Sequence, residues 1–394
     1  SESLIKNLKR NKIHVHEPGL KESLELSKAN KVLNFSADPV KAKNSNIHII
    51  CVGTPVDKNM SHNLIAIKKV SESISSILKK DDLVLIRSTV PIGTTRKIII
   101  PILEQSKLKV NNDFHVAFTP ERTVEGNALE EIFNIPQIIG GYSQNCLEKA
   151  ELFWQNITST TVSTSNLEAA EMTKLLNNSY RDLTFGFSNA FVEVATRCNL
   201  EANKVINAAN SGYSRGKIPI ASPGVGGYCL TKDPYIYSCF DTNLNHSKLS
   251  SLAREINSRS SFYPYETLKK YCKKIKEPLN KMNVFIIGLA FKGEPPTNDL
   301  RESSSLQTYK FLTKKVKDLL CYDHVLANSN YEVPKDLNFK SLNYLSKADA
   351  ILILNNHQSN VKGDFFNLLN KNKRLLIFDG WGQIQRGQIE KNKL

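Results

Sequence analysis

Short apolar runs alternate with amphipathic stretches over the first part of the chain. Strands are predicted where Ile, Val, Leu and Phe cluster, at residues 32–36, 47–52, 83–88, 115–119 and 137–139. Helices are predicted between them, at residues 64–79 and 95–108, where apolar positions recur every three or four residues. Such alternation of strands and helices is typical of a parallel, doubly wound sheet.

A long helix is predicted from residue 166 to about 198, because apolar residues recur at helical spacing from Met172 to Val194. Ser165 and Glu168 have the spacing of a capping box at its start. Further helices are predicted at 201–209 and 249–274, and strands return at 284–288, 319–322, 350–354 and 375–378. We therefore predict an α/β fold with two Rossmann-like doubly wound parallel-sheet domains, 1–164 and 277–394, joined by a helical middle domain, 165–276.

Turn-forming and hydroxyl residues follow three of the predicted strands, in the segments Gly53-Thr54-Pro55, Ser88-Thr89-Val90-Pro91 and Thr119-Pro120-Glu121. Ligands of parallel sheets bind beyond the carboxyl ends of the strands. These turns are therefore where a site is expected.

The 394 residues are 40% hydrophobic and 23% charged, which is an ordinary globular composition. The net charge of +15 fits either an anionic partner or a solvated basic exterior. No run of Lys and Arg with interleaved aromatics favours nucleic-acid binding, and no apolar run approaches the ~20 residues that cross a bilayer. We expect neither a nucleic-acid partner nor a membrane span.

The seven cysteines are scattered and have no CxxC spacing. This pattern argues against a disulfide framework and a zinc site and suits a reducing cytoplasm, so we expect a cytoplasmic protein without bound metal. Cys229 differs, because it ends a glycine-rich loop and precedes Lys232, an environment that favours the nucleophilic thiolate. The glycines would let the backbone approach a ligand closely. The alternative is a tight loop before a helix, with Asp233 as N-cap and Pro234 as the first helical residue.

Lys174, Asn178 and Arg181 share one face of the predicted long helix, opposite its apolar stripe. A solvated polar face is the simple interpretation. A cation, an amide and a second cation would also bind an oxyanion and a phosphorylated sugar. Glu121 and Glu125 flank Arg122 after a predicted strand, which fits either a site or a local salt bridge with a helix cap.

Taken in order, these segments resemble the UDP-glucose/GDP-mannose dehydrogenase family. The matching motifs cover essentially the whole chain: His16-Glu-Pro-Gly-Leu20, Cys51-Val-Gly-Thr-Pro55, Arg87-Ser-Thr-Val-Pro-Ile-Gly-Thr94, Thr119-Pro-Glu-Arg122, Glu171-x-x-Lys-x-x-x-Asn-x-x-Arg181, Pro223-Gly-Val-Gly-Gly-x-Cys229-x-x-Lys-Asp233 and Gly288-Leu-Ala-Phe-Lys…Asp-Leu-Arg-Glu-Ser303.

The resemblance implies a four-electron oxidation in which two NAD molecules take two hydrides from C6 of a UDP-sugar. The product is a uronic acid, a precursor of surface polysaccharide. Cys229 matches the family nucleophile, which forms a thiohemiacetal and then a thioester. The other catalytic matches are Lys174 and Asn178 for oxyanion stabilisation, and Asp233, Glu121 and Thr89 for proton transfer and the hydrolytic water.

The resemblance also implies ligand contacts. Cofactor contacts would come from Thr54, Pro55, Ser88, Thr89, Glu125 and Arg301. Substrate contacts would come from Arg122, Thr123, Lys174, Asn178, Arg181, Arg215, Gly224, Gly226, Phe291 and Lys292. The last domain would hold UDP, and the long helix would form a homodimer or a dimer-based oligomer.

Two arginines indicate the substrate branch. Arg122 and Arg181 resemble the UDP-N-acetylmannosamine and UDP-N-acetylglucosamine 6-dehydrogenases, whereas the UDP-glucose branch has apolar residues at both positions. We therefore expect a UDP-N-acetylhexosamine substrate, with UDP-glucose as the alternative. Tyr228 departs from this branch, which has His before the cysteine, and Trp381 stands where the family has a basic residue near the sugar nucleotide.

The family's first strand, GxGxxG turn, helix and second strand have no counterpart in the sequence. In a doubly wound sheet this pair would lie at the centre, between strands that the chain retains. A truncated homologue that dimerises and holds UDP-sugar without turnover is therefore an alternative function. A two-electron hydroxyacid-type dehydrogenase is another, but it has no use for a cysteine nucleophile.

A sheet without two central strands would leave unpaired backbone groups and exposed apolar faces. We therefore predict that the chain from residue 166 onward folds, dimerises and binds UDP, whereas the first ~150 residues exchange rapidly and bind NAD weakly. Hydrogen exchange and calorimetric titration measure these properties. Micromolar NAD binding by this chain would contradict the prediction.

Overall fold

A computed structural model describes residues 2–57, 62–240, 243–329, 332–370 and 375–384. The chain divides into two compact units. Unit 1 contains Ser1–Ile13, Glu17–Tyr180 and Lys232–Lys248, and unit 2 contains His14–His16, Arg181–Thr231 and Leu249–Leu394. Within the described stretches, no helix is long and apolar enough to cross a membrane.

Unit 1 contains a five-stranded sheet. Its strands, in spatial as well as chain order, are β1 (Ile47–Ile50), β2 (Leu83–Ile86), β3 (His115–Phe118), β4 (Gln137–Gly141) and β5 (Thr161–Ser163). The pairs β1–β2, β2–β3 and β4–β5 are parallel, whereas β3 and β4 are antiparallel. One antiparallel pair in an otherwise parallel sheet is a common arrangement. The predicted strands at 47–52, 83–88, 115–119 and 137–139 are therefore confirmed, with the last of them antiparallel to its neighbour.

The α-helices of the described residues are α1 (Glu2–Lys9), α2 (Leu20–Ala29), α3 (Ile65–Ser75), α4 (Ile100–Leu103), α5 (Ala128–Asn134), α6 (Gln144–Trp154), α7 (Leu167–Arg197), α8 (Ala202–Asn210), α9 (Asp233–Ser238), α10 (Asn245–Arg259), α11 (Tyr263–Ile275), α12 (Ser304–Leu312), α13 (His324–Ala327) and α14 (Phe365–Asn370). A π-helical turn at Thr95–Ile99 precedes α4, so the helix predicted at 95–108 forms in short pieces. Pro101 cannot donate a backbone hydrogen bond, which interrupts the regular α-helical ladder there.

The central strands β2 and β3 are buried along their whole length. Val84 and Ile86 of β2 pack with the residues of α3 and α4, whereas Leu83 and Leu85 pack in a second cluster with Trp154 of α6. Because helices cover both faces, the β2 sequence is continuously apolar and does not alternate.

Two expectations about the start of the sheet are wrong. Residues 32–36 form no strand, and Val32 is 75% exposed. β1 is hydrogen-bonded directly to β2 and lies at the edge of the sheet, so no gap separates the strands that the chain retains. The outer residues Ile47 and Ile49 of this edge strand are exposed. The loss of NAD affinity is not tested by this geometry and stays a prediction.

The long helix is confirmed as α7, which contains 31 residues. Its start differs from the prediction, because the Asn166 side-chain oxygen accepts a hydrogen bond from the Ala169 amide at 2.8 Å. Asn166 is therefore the N-cap, and the predicted capping box of Ser165 and Glu168 is wrong. Glu168 instead pairs with Arg96 at 2.7 Å.

α7 departs from the usual pattern of a helix with a buried apolar face and an exposed polar face. Lys174 is only 8% exposed, so the alternative of a solvated polar face is wrong for this residue. The large apolar residues of α7 that are 47% to 67% exposed are Leu176, Tyr180, Phe187 and Val194. The helix therefore buries polar groups beside apolar ones such as Leu167 and Leu175, and leaves several large apolar side chains exposed.

Unit 2 contains a four-stranded parallel sheet in the order β7-β6-β8-β9. Its strands are β6 (Asn283–Ile287), β7 (Asp318–Tyr322), β8 (Ala350–Ile353) and β9 (Leu376–Asp379). Gly288 follows β6 with φ 87°, and a Cβ there would lie 2.4 Å from the Asn355 side chain, so only glycine fits. The second predicted sheet, and with it the predicted α/β fold class, is confirmed.

Candidate active site

One group of predicted site residues follows the strands of the unit 1 sheet. Because β1, β2 and β3 run parallel and in register, the loops after them lie along one edge. The Thr54 hydroxyl donates to the Thr89 carbonyl oxygen at 2.5 Å, and the Ser88 hydroxyl donates to the Val52 carbonyl oxygen at 2.7 Å. These bonds join the first two loops, and Pro55 is exposed on the first.

Arg87, the residue after β2, is buried with 7% of its surface exposed. Its guanidinium donates to the Glu121 carboxylate and, at 2.9 Å, to the Gln137 side-chain oxygen. It also lies over the Trp154 ring, 4.6 Å from the centroid. Gln137 and Trp154 therefore fix the position of the Arg87 guanidinium, which in turn positions the carboxylate of Glu121. The role of Arg87 is not evident from the sequence, because its partners Glu121 and Gln137 lie 34 and 50 residues further along the chain.

The pKa of Glu121 lies below its ordinary value. Partial burial raises this pKa, but the charge of Arg87 and hydrogen bonds from Arg87 and Thr123 outweigh the burial. The Thr123 amide donates to the carboxylate at 2.9 Å, and the Lys174 ammonium donates to the Glu121 carbonyl oxygen. Glu121 is therefore an ionised, positioned carboxylate at neutral pH.

The segment that follows Glu121 is fixed by hydrogen bonds to residues outside it. The Gly126 amide donates to the Glu17 carboxylate at 2.8 Å, which places the half-buried Glu125 beside it. Arg122 donates to the Pro136 carbonyl oxygen at 3.3 Å. Glu17 belongs to a motif that matched the family, but its partner is 109 residues away, so its role could not be read from the sequence.

Glu171 is a second residue without a predicted role. It is 1% exposed and accepts hydrogen bonds from the Gly93 amide at 2.5 Å, the Thr95 amide at 2.9 Å and the Thr95 hydroxyl at 2.6 Å. Burial raises the pKa of Glu171. The carboxylate caps the π-helical turn after β2 and so joins α7 to the loop that carries Thr89.

Asp233 is fully buried and lies at the centre of a polar cluster. One carboxylate oxygen accepts a hydrogen bond from the Asn178 side-chain amide at 2.5 Å, and the other pairs with the Lys232 ammonium. Asp233 is the first residue of α9 and its side chain does not cap that helix, so the predicted N-cap is wrong. The predicted catalytic residues Asn178 and Asp233 are thus in direct contact.

Cys229 is an exposed cysteine at the end of the glycine-rich loop of unit 2. Gly224 and Gly227 have φ values of 91° and 92°, which favour glycine. A Cβ on Gly226 would lie 2.5 Å from the Glu302 carbonyl oxygen, and the Gly227 amide donates to this oxygen at 3.1 Å. The backbone at Gly226 therefore lies close to the backbone of Glu302, whereas the sequence predicted that the glycines let the backbone approach a ligand.

Aromatic rings and cations lie around this loop within unit 2. The Arg301 guanidinium is 5.1 Å from the Tyr228 ring centroid and pairs with Asp299 at 2.7 Å. A Cβ on Gly227 would lie 2.6 Å from the Phe291 ring, so this ring packs on the loop. The Lys292 ammonium lies over the same ring, 5.6 Å from its centroid. Predicted cofactor and substrate residues therefore contact the segment that carries Cys229.

The remaining predicted substrate residues are more exposed. Arg181 lies 5.9 Å from the Phe185 ring centroid on α7, and Arg215 lies on the exposed stretch 211–217. The Trp381 indole nitrogen donates to the Leu354 carbonyl oxygen at 2.9 Å. Trp381 is thus bound to its own domain through its polar edge, which leaves its ring faces for packing.

Three models of the UDP-glucose/GDP-mannose dehydrogenase family match this chain: the NAD binding domain at residues 1–158, the central domain at 168–259 and the UDP binding domain at 285–386. A UDP-N-acetyl-D-mannosamine dehydrogenase of Pyrococcus horikoshii is 30% identical over 388 residues, which are 96% of this chain and 87% of the relative. The solved structure of the P. horikoshii UDP-D-ManNAc dehydrogenase has a TM-score of 0.88, at 27% identity, and covers 98% of this chain and 88% of that one. A Staphylococcus aureus UDP-N-acetyl-mannosamine dehydrogenase has a TM-score of 0.84, at 26% identity, and covers 100% and 90%.

The chain belongs to the UDP-glucose/GDP-mannose dehydrogenase family. It is an oxidoreductase of the nucleotide-sugar dehydrogenase class, and NAD is its cofactor. The resemblance inferred from motif order is thereby confirmed.

The residues after the unit 1 strands fit NAD. The Thr119 hydroxyl, at the end of β3, is buried and has no hydrogen-bond partner among the described residues. Thr89 and Glu125 are half-buried on loops that follow the parallel strands. A ligand with ribose hydroxyls and an amide provides the partners that such polar groups require.

Replacing Arg87 with Met removes the charge that lowers the pKa of Glu121. Because the folded-state pKa is below the unfolded value of about 4.3, this interaction stabilises the protein above that pH and is lost as pH falls through the folded-state pKa. We therefore expect R87M to melt at a lower temperature than the wild type at pH 7, with a difference that shrinks below about pH 4. Circular dichroism melting between these pH values measures it.

Glu121→Gln is the matched variant, because it removes the same charge pair from the other side. Its melting difference from the wild type should depend on pH in the same way as that of R87M. In the double variant, the pH-dependent part of this melting difference should be no larger than in either single variant. A melting difference that stays constant down to acid pH would contradict the assignment.

Proposed function

We propose that this protein oxidises C6 of a UDP-N-acetylhexosamine to a carboxylate with two NAD molecules as hydride acceptors, for surface polysaccharide precursor synthesis. The observation that carries the proposal is the hydrogen-bonded cluster of Asn178, Asp233 and Lys232, in which Lys232 and Asp233 lie three and four residues after Cys229 in the chain. Asp233 requires such partners because an unpaired buried carboxylate is costly. Similarity to UDP-N-acetyl-D-mannosamine dehydrogenases supports the substrate class.

The first oxidation removes a proton from the C6 hydroxyl and a hydride from C6. NAD, when bound, supplies the hydride acceptor. Lys174 and Asn178 would donate hydrogen bonds to the alkoxide oxygen as its charge develops, and Asp233 would take part in the proton transfer. Both donors are already held by other groups, Lys174 at Glu121 and Asn178 at Asp233, so little reorganisation is needed.

The second oxidation is covalent. The Cys229 thiolate would attack the aldehyde carbon, forming a C–S bond and placing the carbonyl electrons on oxygen, which gives a thiohemiacetal. Loss of the second hydride from C6 leaves a thioester. Water attacks the thioester carbon, the C–S bond breaks, and Cys229 leaves as thiolate with the uronate as product.

Glu121 is suited to the hydrolytic step. Arg87 keeps its carboxylate ionised, so it would accept a proton from the attacking water, with Thr89 in the same water network. The contact between Lys174 and the Glu121 carbonyl oxygen couples the position of this loop to the oxyanion donors.

The proposed ligand contacts follow the three proposed domains. Residues 1–164 would bind NAD through Thr54, Pro55, Ser88, Thr89 and Glu125, aided by Arg301. Residues 277–394 would hold the UDP, with Phe291 and Lys292 among its contacts. The other proposed substrate residues are Arg122, Thr123, Lys174, Asn178, Arg181, Arg215, Gly224 and Gly226.

We also propose a homodimer formed through α7. Four exposed apolar residues of this helix are separated by four or seven residues and so lie on one face of it. They are Leu176, Tyr180, Phe187 and Val194. Exposed large apolar residues along one helix face are typical of an interface between subunits. A second copy would bury this stripe against its own.

Cys229→Ser should abolish complete oxidation, because an oxygen ester or hemiacetal would replace the hydrolysable thioester. We expect NADH formation at less than about 1% of the wild-type rate, with the sugar retained at the aldehyde or ester level. Absorbance at the NADH band and mass spectrometry of the protein measure the two outcomes.

Cys198→Ser is the control, since Cys198 is an exposed cysteine as well. It should leave turnover unchanged. Two NADH per sugar from C229S would show that Cys229 is not the nucleophile. A wild-type protein that binds UDP-sugar without any turnover would instead favour the binding-protein alternative.

UDP-N-acetylhexosamines should be better substrates than UDP-glucose. The reason is that Arg122 and Arg181 stand where the UDP-glucose branch has apolar residues. Comparison of kcat/KM for UDP-N-acetylmannosamine, UDP-N-acetylglucosamine and UDP-glucose tests this. An advantage for UDP-glucose of more than about tenfold, some 1.4 kcal/mol in transition-state binding, would move the protein to the other branch.

A further inference from the structure

Arg254 of α10 is the largest fully buried side chain in the described residues, with 1% of its surface exposed. Its guanidinium donates to the Asp182 carboxylate at 2.6 Å. The same group donates to two backbone carbonyl oxygens, that of Val225 at 2.7 Å and that of Leu230 at 3.1 Å. A fourth, longer contact reaches the Ser258 hydroxyl at 3.4 Å.

The two carbonyl oxygens lie on either side of Cys229. Val225 precedes it by four residues, in the middle of the glycine-rich loop, and Leu230 is the next residue after it. One side chain therefore holds both ends of the short segment that presents the thiol. This segment contains Gly226 and Gly227, which restrict the backbone little, so it depends on such external bonds for a single conformation.

Asp182 is fixed in turn. The Asn257 side-chain amide donates to its carboxylate and to its carbonyl oxygen, both at 2.8 Å. The Asn257 oxygen accepts from Asn189 at 2.9 Å, and the Asn189 oxygen accepts from the Ser222 amide at 2.8 Å. The network therefore returns to the first residue of the loop. Its members come from α7, α10 and the loop, and all belong to unit 2.

We propose that Arg254 is a positioning residue for the nucleophile: it holds the backbone on both sides of Cys229 and has its charge neutralised by Asp182. The inference rests on the proposed function in one respect, the assignment of Cys229 as the nucleophile. The geometry itself is independent of that assignment.

Only an arginine can make this set of contacts. Its planar fork directs five N–H donors, which allows one side chain to reach a carboxylate and two carbonyl oxygens at once. A lysine carries the same charge on a single nitrogen and would satisfy Asp182 or one carbonyl oxygen, but not all three with good geometry. The side chain does not reach the reacting atoms, so its effect passes through the loop.

Supporting this view, burial raises the pKa of Asp182 to about 6, even though the charge of Arg254 and the hydrogen bond from Asn257 act to lower it. One carboxylate oxygen of Asp182 is buried without a hydrogen-bond partner among the described residues. Such a pair stabilises a fold weakly compared with an apolar replacement. The pair is better explained by the loop that it holds.

The test compares Arg254→Lys and Arg254→Met with a matched control, Arg259→Met. Arg259 lies on the same helix, but its ion pair with Glu193 is exposed. Amide hydrogen exchange of residues 224–230 is measured by mass spectrometry on the intact chain, together with kcat and KM. We expect R254M to raise loop exchange about tenfold or more and to lower kcat at least about 30-fold with KM changed less than about threefold.

Arg254→Lys should fall between R254M and the wild type, and R259M should resemble the wild type in every measurement. Added guanidinium at about 10 mM should restore part of the kcat of Arg254→Ala but not affect R259M, because only the first variant leaves a space that fits the ion. A purely structural role would lower the melting temperature without guanidinium rescue or a selective fall in kcat.

Several outcomes would overturn the proposal. Unchanged exchange at residues 224–230 in folded R254M would do so whatever the activity. If R254M does not fold, Asp182→Asn replaces it, because it keeps the shape and removes the charge that orients the guanidinium. Unchanged loop exchange and kcat in D182N would then count against the proposal. An inactive wild type would refute the proposed function only, since the exchange measurement would still decide whether Arg254 holds the loop.

Discussion

A polar group that is removed from water must be hydrogen-bonded within the protein, and this requirement makes α7 the organising element of the candidate site. One face of the helix carries a row of buried or half-buried polar side chains: Glu171, Lys174, Asn178, Asp182 and Asn189. Leaving one of them unpaired would cost about 1–3 kcal/mol. In order along the helix, their partners are the loop after β2, the loop after β3, the start of α9, Arg254 and the start of the cysteine loop. The site segments of each unit are thus hydrogen-bonded to the part of α7 that belongs to the same unit.

Two buried arginines complete this arrangement, one in each unit. Arg87 holds the carboxylate of Glu121 in unit 1, and Arg254 holds the backbone around Cys229 in unit 2. Buried ion pairs contribute little net stability, because desolvation offsets most of their attraction. Each of these pairs instead fixes the position of a group proposed to act in the reaction. Their value to the protein therefore lies in geometry.

Burying polar groups on one side of α7 has a consequence for its other side. Several large apolar residues of α7 face outward, with Phe187 65% exposed. A helix with polar groups inside and apolar groups outside is stable in water only when something covers the outer stripe. The same feature that builds the candidate site thus favours the proposed dimer.

The sequence by itself determined the α/β class, the extent of α7 and the family, because strand and helix periodicity and motif order are local properties. It also marked Cys229 and Asp233 as candidate site residues. It did not identify Arg87 or Arg254, because an isolated arginine gives no signal until folding brings partners from 34 to 72 residues away into contact. Only the tertiary structure decided which face of α7 is buried. Periodicity shows that a helix has two faces, whereas the solvation of each depends on what packs against it.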